Sequence, residues 1–381
     1  MPFFRKLQRI KSVDVLRGFS IWIMVYGHML QFWIRSEDFW LKYWLYAFLA
    51  PIGATGFLFI SGVSATLAYK NNQQTQKVLM NTMRNIYLLR AFFILIIALF
   101  FNFGVAMVFG GGDLADIWSW YALQTIAISL LLAWPLLKTT KIFRVSVAII
   151  AIILNQILLT MLSPYSGQSS ILGIVYHVLF NPIETYVILN YYGIVLIGSV
   201  IGEYIFDLRN ANNHKKKEFL FTNRAIIYSF FIGISVFIFG ILFFFPNFIT
   251  FNSISSVLYA LGIIIATLAV LIVIEILELI KTKKSYRFLY FYSYYSFTIF
   301  LGHNVLLVLF IDQLNVYFTI WVAVVAFNII LGWLLKTMHN KLGIRASVKA
   351  GISILSAFIA MKIEKKDMVN FKEFEKVGKK I

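Results

Sequence analysis

Residues 9–33 read RIKSVDVLRGFSIWIMVYGHMLQFW. From Val13 onward the stretch is apolar over the ~20 residues that a helix rising ~1.5 Å per residue needs to cross a bilayer. Three ionisable groups nevertheless sit inside it: Asp14, Arg17 and His28. A charged or titratable side chain within a span is costly unless paired or wet, so each is a functional candidate.

Comparable apolar runs recur along the chain. Bounded by charge or turn residues, they fall near 13–33, 43–69, 88–109, 118–137, 145–162, 187–206, 225–245, 254–280, 289–311 and 316–338. The composition agrees: 60% of residues are apolar, 18% aromatic and only 13% charged, against roughly 25% charged in an ordinary soluble domain. The expected fold is all-α, a polytopic integral membrane bundle of about ten transmembrane helices. The absence of Cys removes disulfides, thiolate chemistry and Cys-ligated metals, and no metal is expected. No cleavage site follows the basic start from Arg5 to Lys11, so the first helix is expected to remain in place.

Orientation follows from charge, because Lys and Arg of short loops gather on the cytoplasmic side. With the amino terminus inside, only Arg35 and Lys42 of the 34 basic residues fall outside. Ten spans then put both termini in the cytoplasm. The +18 net charge is thus a topology signal rather than a nucleic-acid footprint. Residues 1–340 are expected to form one transmembrane domain. Residues 341–381 are expected to hold an interfacial or docked helix, near 348–361, and a charged tail. The longest external loop, 163–186, contains His177, Pro182 and Glu184 and is long enough to be functional.

Asp14 and Arg17 are three residues apart and can pair on one helix face; a helix-start acid beside a snorkelling arginine explains them equally well. His28 lies about fifteen residues into its span, or ~22 Å along a core of ~30 Å. His303, in SYYSFTIFLGHNVLLVLF, lies equally deep in the ninth run. Two histidines at matched depth on parallel-running helices suit a general base, since imidazole titrates near neutrality. A proton relay in a secondary transporter uses the same property, and a hydrogen-bonded interior histidine is the plainer alternative. Trp118, Trp120 and Tyr121 suit a sugar, though they suit an interface anchor better. Gln124, Asn155 and Gln156 read as interhelical hydrogen-bonding residues.

The acid, then Leu-Arg-Gly, then a histidine eleven residues after the arginine resembles the first helix of the transmembrane acyltransferases, with Asp14, Arg17, Gly18 and His28 carrying the match. APIGATGFLFISGVSATLAYK resembles a helix of the branch related to heparan-α-glucosaminide N-acetyltransferase, itself related to the acyltransferase-3 family. Pro51, Phe57, Phe59, Ser61, Gly62 and Ser64 carry that second match. SYYSFTIFLGH aligns Ser296 and His303 with a late helix of the family, where Phe300 stands in place of the usual Tyr. Weaker echoes involve Gln124, Gly193, Gly198 and Gly202.

The resemblance implies a multi-pass enzyme of the cell membrane that moves an acyl group, expected to be acetyl, from cytoplasmic acetyl-CoA or another acyl-CoA to a hydroxyl or amine of a glycan or glycolipid acceptor. It makes His28, His303 and Asp14 the catalytic candidates, and Arg17, Arg84 and Arg90 candidate contacts for the donor's phosphates. Positive-inside topology alone also accounts for Arg84 and Arg90. The lipid bilayer is the other expected partner, and a homodimer is left open.

Overall fold

The computed structural model describes residues 10–38, 40–41, 47–75, 79–109, 114–181, 185–209, 227–250, 252–276 and 287–364. Among these residues regular structure is helical throughout, apart from one isolated bridge pairing Ile34 with Leu314. In chain order the α-helices are α1 (Lys11–Trp33), α2 (Gly56–Thr75), α3 (Met80–Phe109), α4 (Ala122–Leu136), α5 (Lys141–Leu162), α6 (Ile171–Phe180), α7 (Ile188–Arg209) and α8 (Tyr228–Leu242). They continue with α9 (Ile254–Ile276), α10 (Arg287–Tyr294), α11 (Ser296–Gly302), α12 (Asn304–Leu307), α13 (Thr319–Lys341) and α14 (Val348–Ile363).

Every one of the ten apolar runs carries helix, but the runs are not equally long. Among the described residues six helices are long and apolar enough to cross a membrane, or seven if the bent stretch from Phe288 to Phe310 is one span. Phe100, Ile142, Ile150, Ile329 and Trp333 on these helices are exposed, an arrangement that water penalises and hydrocarbon does not. The protein is a helical membrane protein.

Three departures from the sequence reading have local causes. The fourth and seventh runs are helical for only 15 residues each, in α4 and α8. Pro135 lies at the end of α4, and a turn at Phe243–Phe244 with a positive φ of 54° at Phe244 ends α8. The ninth run is broken, bending by 78° between its two halves. Near that bend Tyr295 donates its hydroxyl to the Gly343 carbonyl at 2.9 Å, and Thr298 donates to the Ala346 carbonyl at 3.0 Å. Further along, the carbonyl of Phe300 receives both His303 Nδ1 at 2.7 Å and Asn304 Nδ2 at 3.0 Å. The first two bonds tie the bent stretch to the Gly343–Ala346 turn, and the last two lie beyond the bend, where side chains that claim a helix carbonyl compete with the backbone ladder. Finally, the expected external loop contains α6, while Pro182 and Glu184 lie outside the described residues, as do Gly110 to Asp113 and the tail beyond Glu364.

The chain resolves into two compact units, Met1–Phe57 with Val270–Ile381, and Leu58–Ala269. In the first, α1 packs along α10 and the Pro51–Thr55 turn, α13 packs on α10, and α14 on α11. Helix α1 has no side-chain cap of its own; the Glu275 carboxylate accepts from the backbone N–H of Lys11 at 3.0 Å and of Ser12 at 2.7 Å. A carboxylate there satisfies orphan donors and suits the positive end of the helix dipole. The far end of α1 is held by backbone bonds, Asp312 N to Phe32 O at 2.9 Å, Leu314 N to Trp33 O at 2.8 Å and Arg35 N to Leu314 O at 3.1 Å.

In the second unit, α2 meets α7 through glycines. A Cβ on Gly62 would stand 2.0 Å from the Val195 carbonyl oxygen, and one on Gly198 would stand 2.2 Å from that of Phe59. Small residues let helix backbones touch, which is how helices associate where no hydrophobic force separates them from lipid. The FLFISG and GIVLIGSVIG stretches are therefore two halves of one packing seam.

Candidate functional site

All four residues of the first-helix motif, Asp14, Arg17, Gly18 and His28, belong to the first unit, and their placement starts from Gly18. A Cβ there would lie 2.1 Å from the carbonyl oxygen of Leu289, so α1 and α10 cross backbone against backbone at this point. The contact brings Ser293, one turn along α10, to the residues flanking Gly18. Arg17 Nη1 donates to Asp14 Oδ1 at 3.1 Å and lies 3.4 Å from Ser293 Oγ. Both side chains are largely buried, at 12% and 17% exposure for Arg17 and Asp14. A cavity of about 270 Å³ opens beside them, lined by Asp14, Arg17, Tyr290, Ser293, Tyr294 and the start of α14 from Ser347 to Ser353.

Eleven residues further along α1, or ~16 Å by helix rise, stands His28. Its Nδ1 lies 2.8 Å from Nε2 of His303, with ring centroids 5.0 Å apart and planes tilted by 20°. His303 is buried at 3% exposure. Its Nδ1 turns back onto the carbonyls of Ile299 and Phe300, at 3.1 and 2.7 Å.

Hydrogen-bond bookkeeping assigns the tautomers of the neutral pair. A carbonyl oxygen only accepts, so His303 Nδ1 carries the proton and its Nε2 presents a lone pair. His28 Nδ1 must then donate to that lone pair, which leaves the lone pair of His28 on Nε2. If Nε2 takes a proton, the resulting imidazolium keeps its Nδ1–H bond to His303. This is the pattern of a base held in one tautomer by a second group.

Asp14 does not reach the histidines, standing fourteen residues, or ~21 Å of helix rise, from His28. Arg84 and Arg90 belong to the second unit, near the start of α3. Arg84 is exposed, with only long contacts of 3.4 and 3.5 Å to Asn85 Oδ1, and Arg90 is half-buried.

Other sequence candidates resolve individually. Asn102 Nδ2 donates to Gln124 Oε1 at 2.8 Å, so Gln124 does bridge α3 and α4. Asn155 is buried, yet its amide has no hydrogen-bond partner among the described residues, contrary to the interhelical bond expected of it. Both indole N–H groups of Trp118 and Trp120 donate to the carbonyl of Val178, at 3.0 and 2.8 Å, and Trp120 is buried. His177 Nε2 lies 3.0 Å from the Ala115 carbonyl.

The sequence reading missed Glu203. It pairs with the fully buried Arg144 and, at 2.8 Å, with Lys70, while Lys141 pairs with Asp207. In the sequence Lys70, Lys141 and Arg144 read only as topology signals. The available signal was an acidic residue inside the apolar run 187–206.

Among the described residues no three His, Asp or Glu side chains gather as a metal-binding set. No curated protein matches the chain. A family model described as heparan-alpha-glucosaminide N-acetyltransferase, catalytic, matches residues 9–227, which is more than half of the 381, and includes the α1 motif and both halves of the α2–α7 seam. The chain therefore belongs to the heparan-alpha-glucosaminide N-acetyltransferase catalytic family, a family of acetyltransferases.

Proposed function

We propose that this protein moves an acetyl group from acetyl-CoA to a hydroxyl or amine of a carbohydrate across a multi-pass, ten-span membrane domain with both termini in the cytoplasm. The observation that carries the reading is the His28–His303 pair, whose hydrogen bonds leave a basic nitrogen on His28. The acceptor nucleophile attacks the thioester carbonyl while His28 Nε2 takes its proton. The new C–O or C–N bond forms, the C–S bond breaks, and the departing thiolate receives the proton from the imidazolium.

His303 orients the base and stabilises its charged form. Arg17, held by Asp14, meets the donor near the start of α1, and the pantetheine arm covers the ~16 Å of helix rise to His28. Family membership names a transferase, and proton-coupled transport finds no support beside it.

Transfer of radiolabelled acetyl from acetyl-CoA to a glycan panel tests this proposal. His28→Ala should bind acetyl-CoA as the wild type does and lose ~10²–10⁴-fold in transfer, the usual contribution of a positioned base. Near-normal transfer by a well-folded His28→Ala protein would refute the assignment.

A further inference from the structure

The cavity beside Arg17 has a second cationic wall. Lys349, in the first turn of α14, lines it opposite the α1 motif, with Ser353 one turn on and Ser293, Tyr290 and Tyr294 completing the ring. This helix lies beyond the segment that the family model matches. We infer that the cavity is an organophosphate site in which Lys349 and Arg17 together grip a phosphate of the donor's nucleotide end. The inference rests on the donor reading just given and adds to it a binding residue from α14.

Four features support it. Of the three charged side chains that line the cavity, Arg17 and Lys349 are cationic and Asp14, bonded to Arg17 at 3.1 Å, is anionic, so the wall keeps a net positive charge. Arg supplies a planar fork and Lys a mobile point charge, the two residue types that phosphate oxygens select. The Ser293 hydroxyl donates to Asp14 Oδ1 at 3.5 Å and that of Ser353 to the Lys349 carbonyl at 2.9 Å, so both present their oxygens to the cavity as acceptors for a sugar hydroxyl and leave the phosphate to the two cations. At about 270 Å³ the cavity falls just below the ~300–1,000 Å³ of drug-sized ligand pockets, so it fits a phosphate with part of its sugar, not a whole nucleotide.

The grip comes from side chains, because the helix end itself is already occupied. Val348 N–H donates to Thr298 Oγ1 at 3.1 Å, Ala350 N–H to Ser347 Oγ at 3.3 Å and Gly351 N–H to the Ser347 carbonyl at 3.0 Å. The loop between α13 and α14 is in turn fastened to α11 through Thr298. The backbone that carries Lys349 is thereby tied to α11.

The test uses the full chain in phosphatidylcholine nanodiscs and calorimetric titration with acetyl-CoA, its 3′-dephospho analogue and phosphate-free S-acetylpantetheine. Wild type should bind these three progressively more weakly. Lys349→Ala should lose about tenfold or more in affinity for acetyl-CoA, the worth of one charge-assisted bond, and so close much of the gap to S-acetylpantetheine; Lys349→Arg should recover most of it. Equal losses for acetyl-CoA and S-acetylpantetheine, or none for either, would overturn the inference while leaving the donor reading standing. A loss confined to binding of phosphatidylglycerol would also overturn it, by assigning the cavity to a lipid headgroup. Wild-type protein that binds none of the three compounds would remove the donor reading, and this inference with it.

Discussion

At the scale of single residues, the division of labour between His28 and His303 makes unequal demands on their replacements. His303 must offer a lone pair to His28 Nδ1–H. His303→Gln, whose side-chain carbonyl also accepts, should therefore retain more transfer than His303→Ala. The latter should fall by about 10²-fold, as expected when a reacting group loses its orientation. Comparable kcat for the two variants at equal expression would refute the orienting role. Arg17→Lys should weaken acetyl-CoA binding even though charge is kept, since a point charge does not reproduce a planar fork. A third prediction concerns Glu203, which joins Arg144 and Lys70. Glu203→Gln strands a fully buried guanidinium and should destabilise the second unit by about 3–5 kcal/mol, read as a fall in melting temperature in nanodiscs. The sequence exposed the first two sites because a polar residue in an apolar run stands out. It hid the partnership of Glu203 because Lys70 and Arg144 lie 133 and 59 residues earlier in the chain, at positions that positive-inside bias already explains.

Among the elements, α1 and α10 owe their crossing to a residue without a side chain. Gly18→Ala forces a methyl group against the Leu289 carbonyl and should cost about 1–3 kcal/mol by overpacking, while prising Ser293 from the Arg17–Asp14 pair. Gly27→Ala, on the same helix with nothing within 4 Å of the new methyl, is the matched control and should be close to neutral. Equal melting temperatures for the two variants would show that the close crossing is not needed. Helix positions were legible because apolar length decides them, and the ten runs all contain helix. The break in the ninth run was not, since the bonds beside it, from Tyr295 and Thr298 to the Gly343 and Ala346 carbonyls, join residues 48 apart that no local pattern connects. The same holds for α6, whose ten residues follow a Ser170 cap that reads equally well as loop.

For the whole molecule, the charge pattern makes a topological prediction that the Cys-free chain is well suited to test. Single cysteines at Phe3 and Glu375 should resist a membrane-impermeant maleimide in intact cells, and one at Gln168 should be labelled; any other pattern contradicts ten spans with both ends inside. The two-ended fastening of α1 carries its own consequence. Sliding this helix by one turn, ~5.4 Å, would rupture the Glu275 bonds at one end and the backbone bonds to Asp312 and Leu314 at the other. Helix α1 is thus a stator rather than a piston. The proposed chemistry then stays at a single depth, and it is the reactants that must make the journey to it.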